Sequence, residues 1–96
     1  MTLRRYAAKR DNVENEVISA LLAVGCTVQQ LSIRGVPDIL CGFNDPLTGV
    51  PTNILIEVKS PKGKLTPDQV EWIEKWEGQV FVVHSVDEAL IAVGRM

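Results

Sequence analysis

The stretch Asn53-Ile54-Leu55-Ile56-Glu57-Val58-Lys59-Ser60 decides how this chain is read. It begins as a buried apolar strand and then alternates apolar with charged residues. Glu57 and Lys59 lie two apart, so on a strand they project from the same face. Placing an acid and a base inside an apolar run is costly unless they serve something. Upstream, Arg34-Gly35-Val36-Pro37 reads as a turn, and Asp38 to Phe43 is apolar enough for a second, mostly buried strand. Asn44 to Thr52 carries two prolines and a glycine and connects the two as a loop. In a hairpin the start of one strand lies near the end of the next. Asp38 and Glu57 therefore converge at one end of the sheet, with Lys59 beside them.

The remaining elements follow outward from this hairpin. Val13, Val17, Leu21 and Val24 recur at helical spacing with Ile18 beside them, which predicts a helix from about Asp11 to Val24, stopped by Gly25. Thr27 to Ile33 is short and β-rich, a first strand. Pro61 to Leu65 is a loop. Thr66-Pro67-Asp68-Gln69 then carries a full helix start: an N-cap threonine, proline at the first helical position and the glutamine of a capping box. This second helix runs to about Trp76, before Gly78. Val70, Ile73 and Trp76 share helical spacing, which directs one tryptophan to the core. Val80 to His84 is a fourth strand, and Ser85 caps a last helix from Val86 to Val93 with Asp87 and Glu88 in its first turn. The order is α-β-β-β-α-β-α. Three antiparallel strands followed by a fourth that returns through a helix and pairs in parallel make an α/β fold, a mixed four-stranded sheet flanked by helices. One domain spanning residues 1–96 is expected.

Composition narrows the function. Apolar residues form 46% of the 96, enough for a core and too many for disorder. There is no apolar run of membrane-spanning length. The basic start, Met1 to Arg10, is not followed by the apolar segment of a signal peptide. Cys26 and Cys41 sit in apolar surroundings and read as reduced, buried residues of a cytosolic protein. One histidine and two distant cysteines argue against structural zinc. The net charge of −2 lacks the overall basic excess of many nucleic-acid binders. Its distribution matters more. Arg4, Arg5, Lys9 and Arg10 cluster at the start, Lys59, Lys62 and Lys64 in the middle, while acids dominate from Asp68 to Glu77.

Two carboxylates on rigid strands suit a hard divalent ion such as Mg²⁺, which takes oxygen ligands and keeps several waters. Such an ion binds a phosphodiester oxygen and lowers the pKa of an attacking water, and a nearby ammonium stabilises the same transition state. A third carboxylate is offered by Glu14, which shares a helical face with Val17, Ile18 and Leu21, whereas Glu16 shares its face with Ser19, Ala20 and Ala23. An acid complementing the helix dipole explains Glu14 equally well. Taken singly, Asp38 is a turn residue, Glu57 and Lys59 an exposed strand face, and Gln69 a capping partner. Their joint arrangement is what points to phosphodiester hydrolysis.

Pro37-Asp38 with Glu57-Val58-Lys59 resembles the PD-(D/E)xK nuclease signature, and the element order is similar to that superfamily's restriction-endonuclease-like core. More narrowly, Arg34-Gly35-Val36-Pro37-Asp38, Ile56-Glu57-Val58-Lys59 and Gly63-Lys64-Leu65-Thr66 with Gln69 resemble the VRR-NUC group, as a stand-alone, phage-type member. The resemblance extends from Val13-Glu14 to Val82-Ser85. It implies that Asp38, Glu57, the Val58 carbonyl and Glu14 ligate Mg²⁺, with Mn²⁺ able to substitute, that Lys59 is the catalytic lysine and that Gln69 lies near the site. It also implies a homodimer acting on branched DNA such as Holliday junctions. Two symmetric cuts need two sites related by a twofold axis, and Trp72 or Trp76 is a candidate for that interface. Arg34, Lys62, Lys64 and the cluster Arg4, Arg5, Lys9 and Arg10 are the expected DNA contacts. The rival readings are a flap or duplex-end nuclease of the same fold and a non-catalytic DNA-binding module.

Overall fold

The computed structural model describes the backbone of residues 2–96 and the side chains of residues 13–96. Helix α1 (Thr2–Ala23) leads into β1 (Thr27–Gln30), β2 (Ile39–Asn44), β3 (Pro51–Val58), α2 (Pro67–Lys75), β4 (Val80–Val83) and α3 (Val86–Ala92). The strands form one sheet in the order β1-β2-β3-β4. Neighbours among β1, β2 and β3 are antiparallel and β4 pairs with β3 in parallel, as the sequence pattern requires. No helix among the described residues is long and apolar enough to cross a membrane.

Three elements differ from expectation by two residues or more; one is β3, which runs Pro51–Val58 rather than Asn53–Ser60 because Pro51 and Thr52 already pair with Asn44 and Phe43. Helix α1 begins at Thr2, well before Asp11, because no proline or glycine interrupts the chain up to Gly25. Strand β1 ends at Gln30 rather than Ile33, although Leu31 N–H still donates to the Asp38 carbonyl at 2.7 Å. The chain then turns at Arg34-Gly35, where Gly35 has φ +81°, a conformation that penalises any side chain.

The two faces of the sheet have different fates. Ile39, Cys41, Ile54, Ile56, Val58 and Val83 join Val17 and Leu21 of α1 and Ala89 and Val93 of α3 in one buried cluster. Each fully buried Leu, Ile or Val contributes about 1.5–3 kcal/mol. Alternation puts Leu40, Leu55 and Glu57 on the opposite face. Helix α2 is begun by the expected capping box and Pro67, but it buries no residue. This corrects the expectation that a tryptophan joins the core: Trp76 is 48% exposed and Trp72 is half-buried, stacked on Trp76 with ring centroids 4.8 Å apart. The reason is that α1 and α3 fill the core, while α2 lies on the side of Glu57, which its Gln69 reaches. Cys26 and Cys41 are buried and free. Burial, with the Cys26 thiol beside it, pushes the Cys41 thiol up to about 12.

Candidate active site

The register of the central hairpin builds the site. Ile39 pairs with Ile56, so the next row brings Asp38 opposite Glu57, at the end where β2 begins and β3 finishes. Asp38 Oδ2 accepts the Val58 N–H at 2.9 Å. Glu57 Oε2 accepts from Gln69 Nε2 at 3.0 Å and lies 3.4 Å from Lys59 Nζ. The Lys59 side chain is 14% exposed. Asp38 is 7% exposed and Glu57 1%. They are the only charged residues in the buried set among the described residues.

Such burial is costly for charge, and Glu57 registers it. Desolvation, reinforced by the negative charge of Asp38, raises its carboxyl from 4.5 to about 7, against the opposing pull of Lys59. Near neutrality the Glu57 carboxyl is therefore poised between its protonated and charged forms. Gln69 links the site to α2 twice over: its amide nitrogen reaches Glu57, while its Oε1 accepts the Thr66 N–H at 2.9 Å. The capping box and the clamp on Glu57 are thus one side chain.

The structure brings Asp38, Glu57, Lys59, Gln69 and the Val58 backbone together. It does not bring Glu14 into that group. Glu14 Oε2 accepts instead from Gln30 Nε2 at 2.8 Å, and α1 packs on the face of the sheet opposite Glu57. Among the described residues, no three His, Cys, Asp or Glu side chains gather as a metal-binding group. Two buried carboxylates still offer the hard-oxygen donor set that Mg²⁺ accepts while keeping several waters.

Of the expected DNA contacts, Arg34 is exposed and lies 3.9 Å from Asp68, the residue before Gln69. With Gly35, Asp68, Glu71, Trp72 and Lys75 it lines an open cleft beside α2. Lys62 and Lys64 are exposed on the loop that leaves Lys59. Arg4, Arg5, Lys9 and Arg10 fall outside the residues whose side chains are described. Two residues at the site's margin carry no sequence motif. Gln30 holds Glu14, and His84 contacts Gly63 O through Nε2 at 3.2 Å. Only the register that sets Gln30 against Ile39 and Val83 against Val58 exposes their place.

A sequence profile of the VRR-NUC domain matches residues 7–87. A solved structure described as a VRR_NUC domain is similar to this chain with a TM-score of 0.66 and 29% identity, over 88% of this chain and 95% of that one. No curated protein matches the sequence.

Proposed function

The chain belongs to the VRR-NUC family, which indicates a nuclease-type function on DNA, and from that premise we propose that it is a metal-dependent endodeoxyribonuclease of the PD-(D/E)xK class. The observation that carries this reading is the buried pair Asp38 and Glu57 with Lys59 Nζ 3.4 Å from Glu57 Oε2. Asp38, Glu57 and the Val58 carbonyl would hold Mg²⁺, or Mn²⁺ in its place. The ion supplies Lewis acidity at the scissile phosphate and a lowered pKa for the attacking water.

The chain's own residues do the rest. Gln69 and Lys59 both address Glu57 Oε2 and so fix the orientation of that carboxylate. The Val58 N–H does the same for Asp38. The Lys59 ammonium orients the attacking water and offsets charge developing on the phosphate. Arg34, Lys62 and Lys64, with Arg4, Arg5, Lys9 and Arg10, bind phosphates along the duplex, a mode that reads shape rather than sequence.

The preferred substrate in this reading is branched DNA such as a Holliday junction, cut by a homodimer. The half-covered apolar residues of α2, Val70, Trp72, Ile73 and Trp76, none of them buried, support a second copy packing there. Two free cysteines in the core fit the reducing cytoplasm of a bacterium, the host also of a phage protein.

The test is cleavage of a labelled immobile four-way junction beside duplex, flap and single-stranded controls, with Mg²⁺, Mn²⁺ or EDTA. Paired symmetric nicks that need the metal and vanish in Lys59→Ala are expected, with sedimentation at dimer mass. Cutting of flaps or duplex ends instead removes the junction preference and keeps the site. Folded protein that binds DNA but cuts nothing with either metal overturns the enzyme reading in favour of a binding module.

A further inference from the structure

The loop from Ser60 to Leu65 has site residues at both ends: Lys59 precedes it, and the helix carrying Gln69 follows it. It is tightly wound. Gly63 N–H donates to Ser60 O at 2.8 Å, and a Cβ on Gly63 would stand only 3.0 Å from Ser60 Oγ. The middle of the loop is tied to the sheet through Gly63 O, which faces His84 Nε2 at 3.2 Å. A carbonyl oxygen only accepts, so this contact places a proton on Nε2. Glu88 stands beside the ring: its Oε1 accepts the His84 main-chain N–H at 2.7 Å and lies 3.3 Å from Nδ1. His84 directly follows Val83, whose carbonyl accepts the Lys59 N–H at 2.8 Å. The anchor therefore sits beside the row of the lysine in the site. Lys62 and Lys64, both exposed, flank Gly63 on either side.

We propose that His84 is a positioning residue: by holding the Gly63 carbonyl it fixes the Ser60–Leu65 loop so that Lys62 and Lys64 meet the DNA backbone next to the scissile phosphate. The proposal rests on the nuclease reading above. A flexible lysine loop still attracts phosphate, but it loses rotational and backbone freedom on binding, and that ordering weakens affinity. His84 removes part of that loss beforehand. Its effect belongs to substrate binding and not to the chemical step, because it touches neither Glu57 nor Lys59 in any hydrogen bond or ion pair of the described residues.

Wild type and two variants test this: His84→Ala, and His84→Gln, whose amide nitrogen takes the place of Nε2. Limited trypsin digestion reads the loop directly, through cleavage after Lys62 and Lys64. Anisotropy of a labelled four-way junction in EDTA reads affinity without chemistry, and cleavage kinetics with Mg²⁺ separate KM from kcat. From the net value of one hydrogen bond, His84→Ala should cut faster in the loop and bind DNA about fivefold more weakly, with KM following and kcat within about twofold. His84→Gln should restore both loop protection and affinity. Unchanged loop cleavage or DNA affinity in His84→Ala overturns the proposal, as does failure of His84→Gln to restore them. If the wild type neither binds nor cuts DNA, the nuclease reading itself fails, and that is seen before any variant is compared.

Discussion

Replacing Glu57 with glutamine should stabilise the metal-free protein above neutral pH, and the size of the effect follows from the site. The Glu57 carboxyl sits at about 7 against 4.5 in an ordinary setting, chiefly because it is buried and next to Asp38. A raised carboxyl favours the folded state fully while it is protonated in both states, below about 4.5. That contribution is lost as pH climbs through about 7, where the folded chain must either charge a buried group or hold a proton that the unfolded chain releases. Each factor of ten in proton affinity is worth about 1.4 kcal/mol, so between pH 5 and pH 8 the apo protein should lose about 2–3 kcal/mol from this group. In a domain of this size that is a fall in Tm of roughly 10 °C or more. The assay is thermal and urea unfolding in EDTA from pH 5 to pH 8, for wild type and Glu57→Gln. The wild type should weaken across the range, and the variant should weaken less and surpass it at pH 8. Parallel pH curves for the two proteins, or a variant less stable than wild type at pH 8, would refute the reasoning, since either outcome means that Glu57 is not the strained group.

Four other outcomes are expected. Apparent Mg²⁺ affinity, followed by protection against unfolding, should be weaker at pH 6 than at pH 8, because the ion must displace the Glu57 proton. Lys59→Ala should lower kcat by roughly 10²-fold or more while junction binding in EDTA changes little, given the scale of a lost transition-state charge contact; anisotropy checks the second half. Thr66→Ala should cost about 1 kcal/mol of stability by removing a cap and leave cleavage near wild type, whereas Gln69→Ala removes the same capping box and also the Glu57 contact, so its kcat should fall as well. Ile56→Ala, at the centre of the core, should cost about 2–5 kcal/mol in urea unfolding.

The fold was largely written in local patterns. Strand alternation, the loop prolines and the Thr66-to-Gln69 capping box each specify their own element, and the parallel return of β4 follows from the length of the crossover. Asp38, Glu57 and Lys59 were legible because hairpin geometry forces the start of one strand against the end of the next. Gln69 was legible from the sequence as a cap, and its reach to Glu57 came from the resemblance and from the structure. What local patterns do not carry is competition between elements for the same core. Val70, Ile73 and Trp76 have core spacing, but α1 and α3 fill the packed face first, and nothing in the helix itself records that. Glu14 illustrates the same limit: its helical face points to the sheet as expected, but to the side where Gln30 waits. His84 acts across 21 residues of sequence, a separation no motif spans.

The absence of any buried residue in α2 has a consequence in time. An element with no anchor in the core opens at a free energy well below that of global unfolding. Amide hydrogens of α2 in the free chain should therefore exchange with solvent long before those of β2 and β3. Each such opening lifts Gln69 away from Glu57 and uncovers the carboxylate pair, while the sheet that carries Asp38, Glu57 and Lys59 stays intact. The protein thus pairs a permanent floor with an intermittent wall.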